Sequence, residues 1–201
     1  SNYDYCLNLG GFSNISFEYN GNRIAYDISP VNTVLNYFVN QLGLEYDNKG
    51  KIAKSGLFDK DLFEKLNQLS FYNEPFPKSL GMEFVHKNVF PIIENFSLPI
   101  ETVLRTFVEH IAFQIANNCN SDAKTILITG GGAYHEFLIE RIQYYLPEVL
   151  LVVPDKQLIE FKEALIFGFL GVLKLRNENN TLASVTGALR DHSSGVIYNV
   201  N

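Results

Sequence analysis

The stretch YCLNLGGFSNISFEYNGNRIAYDISPVN, residues Tyr5–Asn32, predicts a three-stranded antiparallel meander. Gly10-Gly11 is the first turn, where glycine supplies backbone conformations that other residues adopt only with strain. Asn20-Gly21 is the second turn, and this dipeptide is typical of a two-residue hairpin. The segments on either side of these turns are the predicted strands: Cys6–Leu9, Ile15–Tyr19 and Arg23–Asp27.

The polar residues of this stretch converge on one end of the predicted sheet. Because the chain reverses twice, Asp27 leaves the third strand at the end where Gly10-Gly11 closes the first. The other polar residues at this end are Asn8, Ser13 and Asn14. Backbone N–H groups of a diglycine turn suit phosphate oxygens, and a nearby carboxylate suits a general base. The stretch indicates a phosphate site beside a base, although a plain meander whose glycines only make turns explains the same residues.

The composition is that of one large or two small soluble domains, with 201 residues of which 46% are apolar and 19% charged. The net charge of −6, without a cluster of Lys or Arg, argues against nucleic acid or an anionic membrane as the main partner. The longest apolar run, Ala164–Leu173, is too short to span a bilayer, and no signal peptide opens the sequence. Cys6 and Cys119 have no metal or redox spacing, so we expect a reducing, cytoplasmic location.

Downstream of the meander, periodicity predicts alternating helices and strands around an insertion. Val34–Leu42 is a helix that ends at Gly43. Leu44–Phe96 is irregular apart from a short helix capped by Asp59 or Asp61, and such a long irregular segment is more often functional than idle. The remaining elements are helix Pro99–Asn117, strand Thr125–Thr129, helix Tyr134–Leu146, strand Leu150–Val153 and helix Phe161–Leu175. The last helix is apolar on nearly all sides, so we expect it to close the core.

A meander followed by alternating helix and strand predicts an α/β fold with a mixed sheet and helices on both faces. This element order resembles the ribonuclease-H-like scaffold, which forms each lobe of sugar kinases, actin and the heat-shock chaperone ATPases. We therefore expect residues 1–201 to form a single ribonuclease-H-like lobe, with an irregular and helical insertion at about 44–96.

A second glycine turn, Gly130–Gly132, follows a buried strand and opens a helix. At such a position the backbone approaches a nucleotide without an intervening side chain, and the helix N-terminus attracts anions. The spacing is not GxGxxG, so a dinucleotide-binding fold is not supported. Glu163, at the start of the last core helix, is either a first-turn acid favoured by the helix dipole or a ligand to sugar hydroxyls.

Three other kinds of site are not supported by the sequence. No two histidines have metal-ligand spacing, which argues against zinc. A Ser-His-Asp set lacks its nucleophile elbow. Lys78-Ser79 lacks the glycines that precede a P-loop lysine.

Five blocks resemble the anhydro-N-acetylmuramic acid kinase family, in the family's order and over essentially the whole chain. They are LNLGGFSNIS at Leu7–Ser16, YDISPVN at Tyr26–Asn32, PKSLGMEF at Pro77–Phe84, ITGGGAYHEFL at Ile128–Leu138, and EALIFGFL at Glu163–Leu170 with SVTGA at Ser184–Ala188. In that family the first block is a phosphate-binding turn and the fourth block holds the adenosine.

The resemblance implies a cytoplasmic enzyme of peptidoglycan recycling. With ATP and Mg²⁺, it hydrolyses the 1,6-anhydro ring of 1,6-anhydro-N-acetylmuramic acid and phosphorylates O6. Asp27 is the implied general base that activates water, and no protein metal site is implied. The implied sugar ligands are Asn32 and Glu163, and the role of Lys78 and Ser79 stays open. The implied nucleotide ligands are Asn8, Gly10, Gly11, Asn14, Gly130, Gly131, Gly132 and Ala133.

The chain departs from the family pattern in two places and lacks one lobe. Ile28–Val31 replaces T-G-P-G beside the implied base, and Met82 replaces an arginine. The amino-terminal lobe, with its G-T-x-S-G-T-S-x-D-G loop, has no counterpart, so we expect a carboxy-terminal lobe that catalyses little alone. The alternatives are a non-catalytic module that binds sugar or nucleotide and a kinase for another amino sugar, and a homodimer is left open.

Overall fold

A five-stranded mixed sheet forms the centre of the computed structural model, which describes residues 2–198. Its strands are β1 Tyr5–Leu9, β2 Phe12–Tyr19, β3 Asn22–Pro30, β4 Thr125–Thr129 and β5 Leu150–Val152. The strand order is β3-β2-β1-β4-β5, with β1, β2 and β3 antiparallel and with β4 parallel to both β1 and β5. This topology confirms the predicted ribonuclease-H-like α/β order.

Helices surround the sheet and bury the apolar side of its central strands. They are α1 Asn32–Asn40, α2 Lys51–Ser55, α3 Lys60–Asn67, α4 Met82–Phe84, α5 Phe90–Asn95, α6 Ile100–Asn117, α7 Glu136–Tyr145, α8 Lys156–Leu175 and α9 Ala183–Thr186. Every second residue of the central strands is buried, as the two-residue period of a strand requires. The buried positions include Leu7, Leu9, Ile15, Ile126 and Ile128. They form one hydrophobic cluster with side chains of α1 and α6.

β3 extends three residues beyond the predicted end at Asp27, because its pairing with β2 continues to Pro30. Asn14 is opposite Asp27 in the regular register that continues from the Asn20-Gly21 turn, and an irregularity between Asn14 and Ser13 then places Ser13 opposite Ser29. The buried hydroxyl oxygens of Ser13 and Ser29 are 3.0 Å apart and satisfy each other by a hydrogen bond. Asp27 therefore lies inside a paired strand rather than at a strand end.

The insertion is more helical than the sequence predicts. Asp59 caps α3 by accepting a hydrogen bond from the backbone N–H of Leu62 at 2.8 Å, which confirms one of the two predicted caps. The segment before it, expected to be loop, contains α2. Residues 82–95 are helical throughout, since a π-helical segment at Val85–Val89 joins α4 to α5. The wider π turn moves the buried residues out of the 3.6-residue period, so periodicity did not predict this helix.

α8 is helical as predicted, but it does not close the core, and that prediction is wrong. Only Ile159 of α8 is buried, whereas Phe161, Leu165, Phe167 and Leu175 are between 61% and 72% exposed. We call these four side chains the α8 apolar surface. Periodicity predicts a helix but does not say what covers it. No helix in residues 2–198 is both long and apolar enough to cross a membrane.

A buried histidine joins α6 to α3 and to the turn at Ser70–Asn73. His110 Nδ1 lies 2.8 Å from Oδ1 of Asn67, and the Tyr72 hydroxyl lies 2.8 Å from Nε2. Because the amide oxygen only accepts, Nδ1 donates to it and Nε2 accepts from the Tyr72 hydroxyl. Burial lowers the pKa of His110 to about 3, so the ring stays neutral in the folded chain.

We expect the free energy of unfolding to fall as the pH is lowered from 6.5 toward 3, because the imidazole of His110 binds a proton over this range only when unfolded. The contribution is at most about 5 kcal/mol, since one pKa unit corresponds to about 1.4 kcal/mol. Urea unfolding at several pH values measures it. H110N should lose part of the pH dependence, whereas H86N, at an exposed position, should retain it. Equal pH slopes for wild type and H110N would contradict the prediction.

Candidate functional site

Three polar residues lie in one row across adjacent strands. Asn14 of β2 is opposite both Asn8 of β1 and Asp27 of β3. Thr129 of β4 extends the row, because it is opposite Asn8. Directly paired residues point to the same face, with Cβ atoms about 5 Å apart. The structure therefore brings Asn8, Asn14 and Asp27 together on one face of the sheet.

Asp27 is half-buried and contacts the insertion through backbone groups. Its Oδ2 accepts a hydrogen bond from the N–H of Leu80 at 2.8 Å, and its own N–H donates to the carbonyl of Lys78 at 3.2 Å. Burial raises the pKa of Asp27, and the hydrogen bond from Leu80 opposes this shift. A carboxylate held in this way, with a raised pKa, is suited to accept a proton from water.

Lys78 stabilises the segment beside Asp27 without contacting the carboxylate. Its Nζ donates to the carbonyl of Phe71 at 3.0 Å and lies 4.6 Å from the centroid of the Phe71 ring. Burial lowers the pKa of this ammonium. Its neighbour Ser79 is exposed and makes no hydrogen bond within residues 2–198. The ammonium anchors the insertion, so that the backbone at Lys78 and Leu80 reaches Asp27.

The Gly10-Gly11 turn connects β1 to β2 and also holds the start of α1. The Gly11 carbonyl accepts hydrogen bonds from the N–H of Val31 and the hydroxyl of Thr33, both at 2.8 Å. The Gly10 carbonyl accepts from the N–H of Asn32 at 3.2 Å. The Gly11 N–H has no partner in the described part of the chain, which leaves it available to an anion.

The Gly130–Gly132 turn packs against the end of β1. Gly130 has a φ of +85°, and a Cβ there would lie 2.7 Å from the carbonyl oxygen of Leu9. A Cβ at Gly132 would lie 2.7 Å from the Cβ of Leu9. Close packing against Leu9 therefore explains why these two positions are glycine, whether or not a ligand binds there. Gly131 is exposed and lines a cavity, and the N–H groups that open this helical turn have no partner within it.

A cavity of about 900 Å³ lies beside this turn. Its wall includes Asn32, Tyr46, Gly131, Ala133, Tyr134 and Ile139. The wall combines aromatic and apolar side chains with amides and several charged side chains, and the volume is large enough for a whole nucleotide. Asn32 therefore lies on the same cavity as Gly131, and the contact between Asn32 and a sugar stays a prediction.

Asp47 and His135 join the insertion to α7 at the wall of this cavity. His135 Nδ1 accepts a hydrogen bond from the N–H of Leu138 at 3.0 Å, and Nε2 lies 3.9 Å from Oδ2 of Asp47. The Asp47 carboxylate accepts from the N–H groups of Ile52 and Ala53 at 2.9 and 2.8 Å. Burial lowers the pKa of His135, and the Asp47 charge opposes this shift. The insertion thus supplies one wall of the cavity.

The segment that departs from the expected T-G-P-G pattern is buried. Ile28, Ser29 and Val31 are each 0% exposed, at the end of β3 and the start of α1. None of them lines the cavity. Ser29 and Val31, which replace the two glycines, therefore pack in the core and not in the cavity.

α8 supplies one residue that the sequence predicts and one that it does not. Glu163 is exposed and makes no hydrogen bond or ion pair within residues 2–198. Its neighbour Lys162 is half-buried, and its Nζ donates to Oδ1 of Asn8 at 2.5 Å across 154 positions of the sequence. No spacing rule connects residues so far apart, so nothing in the sequence singles out Lys162 as part of this site.

The donors at this site fit a nucleotide with its phosphates. Free backbone N–H groups of the two glycine turns, the amides of Asn8 and Asn14, and the ammonium of Lys162 lie near the ends of β1 and β4, next to the cavity of about 900 Å³. Within residues 2–198, no three His, Cys, Asp or Glu side chains are grouped to hold a metal. Mg²⁺ commonly binds one or two carboxylates together with substrate phosphates and water. Such a metal can therefore arrive with the phosphates of the nucleotide, and it needs no cluster of protein ligands.

Comparison with known proteins gives consistent matches. The family model described as anhydro-N-acetylmuramic acid kinase matches residues 1–200. The anhydro-N-acetylmuramic acid kinase of Aliivibrio fischeri is 33% identical over 97% of this chain and 56% of its own length. That of Vibrio cholerae is 33% identical over 96% of this chain and 54% of its own length. The chain thus spans about half the length of the curated relatives it matches.

One similar solved structure is the activator of the 2-hydroxyisocaproyl-CoA dehydratase from Clostridium difficile, with bound ADPNP. It has a TM-score of 0.46 and 14% sequence identity, over 81% of this chain and 62% of that chain. A similarity at this level adds no argument about function.

Proposed function

Because the chain belongs to the anhydro-N-acetylmuramic acid kinase family, we propose that it is the carboxy-terminal lobe of an ATP-dependent sugar kinase. The complete enzyme hydrolyses the 1,6-anhydro ring of 1,6-anhydro-N-acetylmuramic acid and phosphorylates O6, in the cytoplasm, during peptidoglycan recycling. The observation that most supports this function is the row of Asn8, Asn14 and Asp27 beside two glycine turns and the 900 Å³ cavity.

Asp27 is the general base in this proposal. Its pKa is raised by burial, so the carboxylate is a better proton acceptor than an exposed aspartate. It takes a proton from water while the water oxygen bonds to the anomeric carbon and the bond from that carbon to O6 breaks. O6 is then the phosphoryl acceptor. Glu163, which is exposed on α8, binds the sugar hydroxyls.

The two glycine turns bind the nucleotide. The N–H groups of Gly11 and Gly131, with the amides of Asn8 and Asn14, contact phosphate oxygens, whereas the Gly10 N–H donates to the carbonyl of Phe12 at 3.1 Å. The adenosine lies in the cavity beside Ala133. ATP with Mg²⁺ supplies the phosphoryl group. These residues orient the phosphoryl group and stabilise its negative charge, which is the main contribution of a protein to phosphoryl transfer.

The α8 apolar surface supports the presence of a second lobe. Its four side chains are more than 60% exposed, and the curated relatives are nearly twice as long as the matched region. In the complete enzyme the amino-terminal lobe covers this surface and supplies the remaining phosphate contacts. The isolated chain then binds ligands weakly and catalyses little, because both lobes position the reacting groups.

Detection of the product by mass spectrometry tests this function. The 201-residue chain and the same chain joined to its upstream genomic sequence, here called the longer protein, receive ATP and 1,6-anhydro-N-acetylmuramic acid. We expect N-acetylmuramic acid 6-phosphate from the longer protein, and in ¹⁸O-labelled water one ¹⁸O atom in each product molecule. Product only from another amino sugar would identify a different substrate. Ligand binding without any product would identify a non-catalytic module.

A further inference from the structure

Lys162 is a half-buried cation that has no carboxylate partner in residues 2–198. Its one hydrogen bond runs to Oδ1 of Asn8, and the adjacent Glu163 forms no ion pair with it. By contrast, four exposed lysines each form an ion pair with a glutamate: Lys49, Lys54, Lys60 and Lys156. Removing a charge from water is costly unless an opposite charge compensates it. Lys78 and Lys174 are also half-buried without a carboxylate partner, but each donates to a backbone carbonyl. The ammonium of Lys162 instead contacts the amide of Asn8, and this position beside the glycine turns indicates where an anion binds.

Asn8 places this ammonium between the two glycine turns. The Asn8 Nδ2 lies 3.3 Å from the Cβ position of Gly10, and Oδ1 lies 2.9 Å from the Cβ position of Gly130. The hydroxyl of Thr129 is 3.5 Å from the same Oδ1. The ammonium and the amide thus lie at the ends of β1 and β4, where both turns present backbone N–H groups.

Around Lys162 and Asn8 there are more N–H donors than acceptors within the described chain. An ammonium has three N–H donors, of which Asn8 accepts one. With its oxygen toward Lys162, the Asn8 amide turns its NH₂ group toward Gly10. We propose that Lys162 binds a phosphate group of the nucleotide and holds the Asn8 amide so that its NH₂ donates to the same phosphate. This assignment rests on the proposed function, since it adds a ligand to the same nucleotide site.

The titration of Lys162 agrees with this assignment. Burial lowers the pKa of the ammonium, and the charge of Glu163 opposes the shift. A bound phosphate stabilises the charged form in the same way as a carboxylate partner.

A purely structural role for Lys162, as a tether between α8 and the sheet, makes a different prediction. Loss of a tether would reduce stability and would weaken every ligand of the site to a similar extent. Loss of a phosphate contact would weaken the binding of ATP but would leave the binding of adenosine unchanged, because adenosine has no phosphate. Lys174 is a matched control, because it is half-buried on the same helix and donates only to the carbonyl of Ser193 at 3.5 Å.

Calorimetric titration of the longer protein with ATP and with adenosine tests the assignment in K162M, K162R and K174M. We expect K162M to weaken ATP binding about 10- to 100-fold, which is the contribution of a charge-assisted hydrogen bond. K162R should retain part of the affinity, because it keeps the charge. K174M should bind ATP like the wild type, and adenosine affinity should be unchanged in all three variants.

The outcomes separate this assignment from the proposed function. If K162M binds ATP as tightly as the wild type, or loses the same factor for adenosine, Lys162 is not a phosphate ligand although the nucleotide site stands. A wild-type protein that binds neither ATP nor adenosine would overturn the proposed function and this assignment together. The ¹⁵Nζ resonance of Lys162 should shift with ATP and not with adenosine, and this measurement decides the question if K162M does not fold.

Discussion

Replacing Asp27 by asparagine should lower the kcat of the longer protein about 100- to 10,000-fold, the usual contribution of a general base. An asparagine oxygen can still accept the hydrogen bond that Leu80 N–H donates to the carboxylate at 2.8 Å, so the pairing of β3 should persist. The substitution removes only the group that accepts a proton. The KM for ATP should change little, because Asp27 does not line the 900 Å³ cavity.

The pH profile identifies Asp27 as the group that titrates. Only the deprotonated carboxylate accepts a proton, so the wild-type kcat/KM should fall on the acidic side. This fall should lie at a higher pH than for an ordinary aspartate, because burial raises the pKa of Asp27. D59N is a matched control, since Asp59 also accepts a backbone N–H at 2.8 Å but caps α3. A D27N variant with nearly wild-type kcat, or an equally inactive D59N variant, would contradict the assignment.

Replacing Glu109 by alanine should lower the free energy of unfolding by about 3–5 kcal/mol, the usual effect of removing one partner of a buried ion pair. Glu109 is 3% exposed, and its Oε1 lies 2.8 Å from Nη2 of Arg105 and 2.7 Å from Nε of Arg141. Arg105 belongs to α6 and Arg141 to α7, so this carboxylate links the two helices. Without it, two mostly buried guanidinium groups remain with no opposite charge.

A second ion pair with the same spacing provides the control. Lys60 and Glu64 are also four residues apart, at 3.4 Å, but both side chains are more than half exposed. E64A should therefore change the free energy of unfolding by about 0.5 kcal/mol or less. Urea unfolding of both variants measures the difference, and E109Q should fall between E109A and the wild type. If E109A lost no more free energy of unfolding than E64A, the two arginines would not depend on the Glu109 charge for stability, and the prediction would be wrong.

Local signals in the sequence predicted most of the sheet and the composition of the site. Gly10-Gly11 and Asn20-Gly21 are turn dipeptides, and turn length sets the register of the strands they join. The alignment of Asn8, Asn14 and Asp27 follows from that register. The glycine turn after β4 was predictable because a buried strand precedes it. The register shift near Asn14 and the π turn at Val85–Val89 were not, since both interrupt the regular periods on which prediction depends.

The sequence by itself determined the strands, the turns, the long helices and the polar residues at the end of the sheet, because these depend on neighbours a few positions apart. Only the tertiary structure decided that α8 leaves its apolar surface exposed, since a hydrophobic pattern records that a surface should be covered and not what covers it. Only the tertiary structure brought Lys162 to Asn8, across 154 positions. Contacts of this kind depend on how complete elements pack together, and no local spacing encodes that packing.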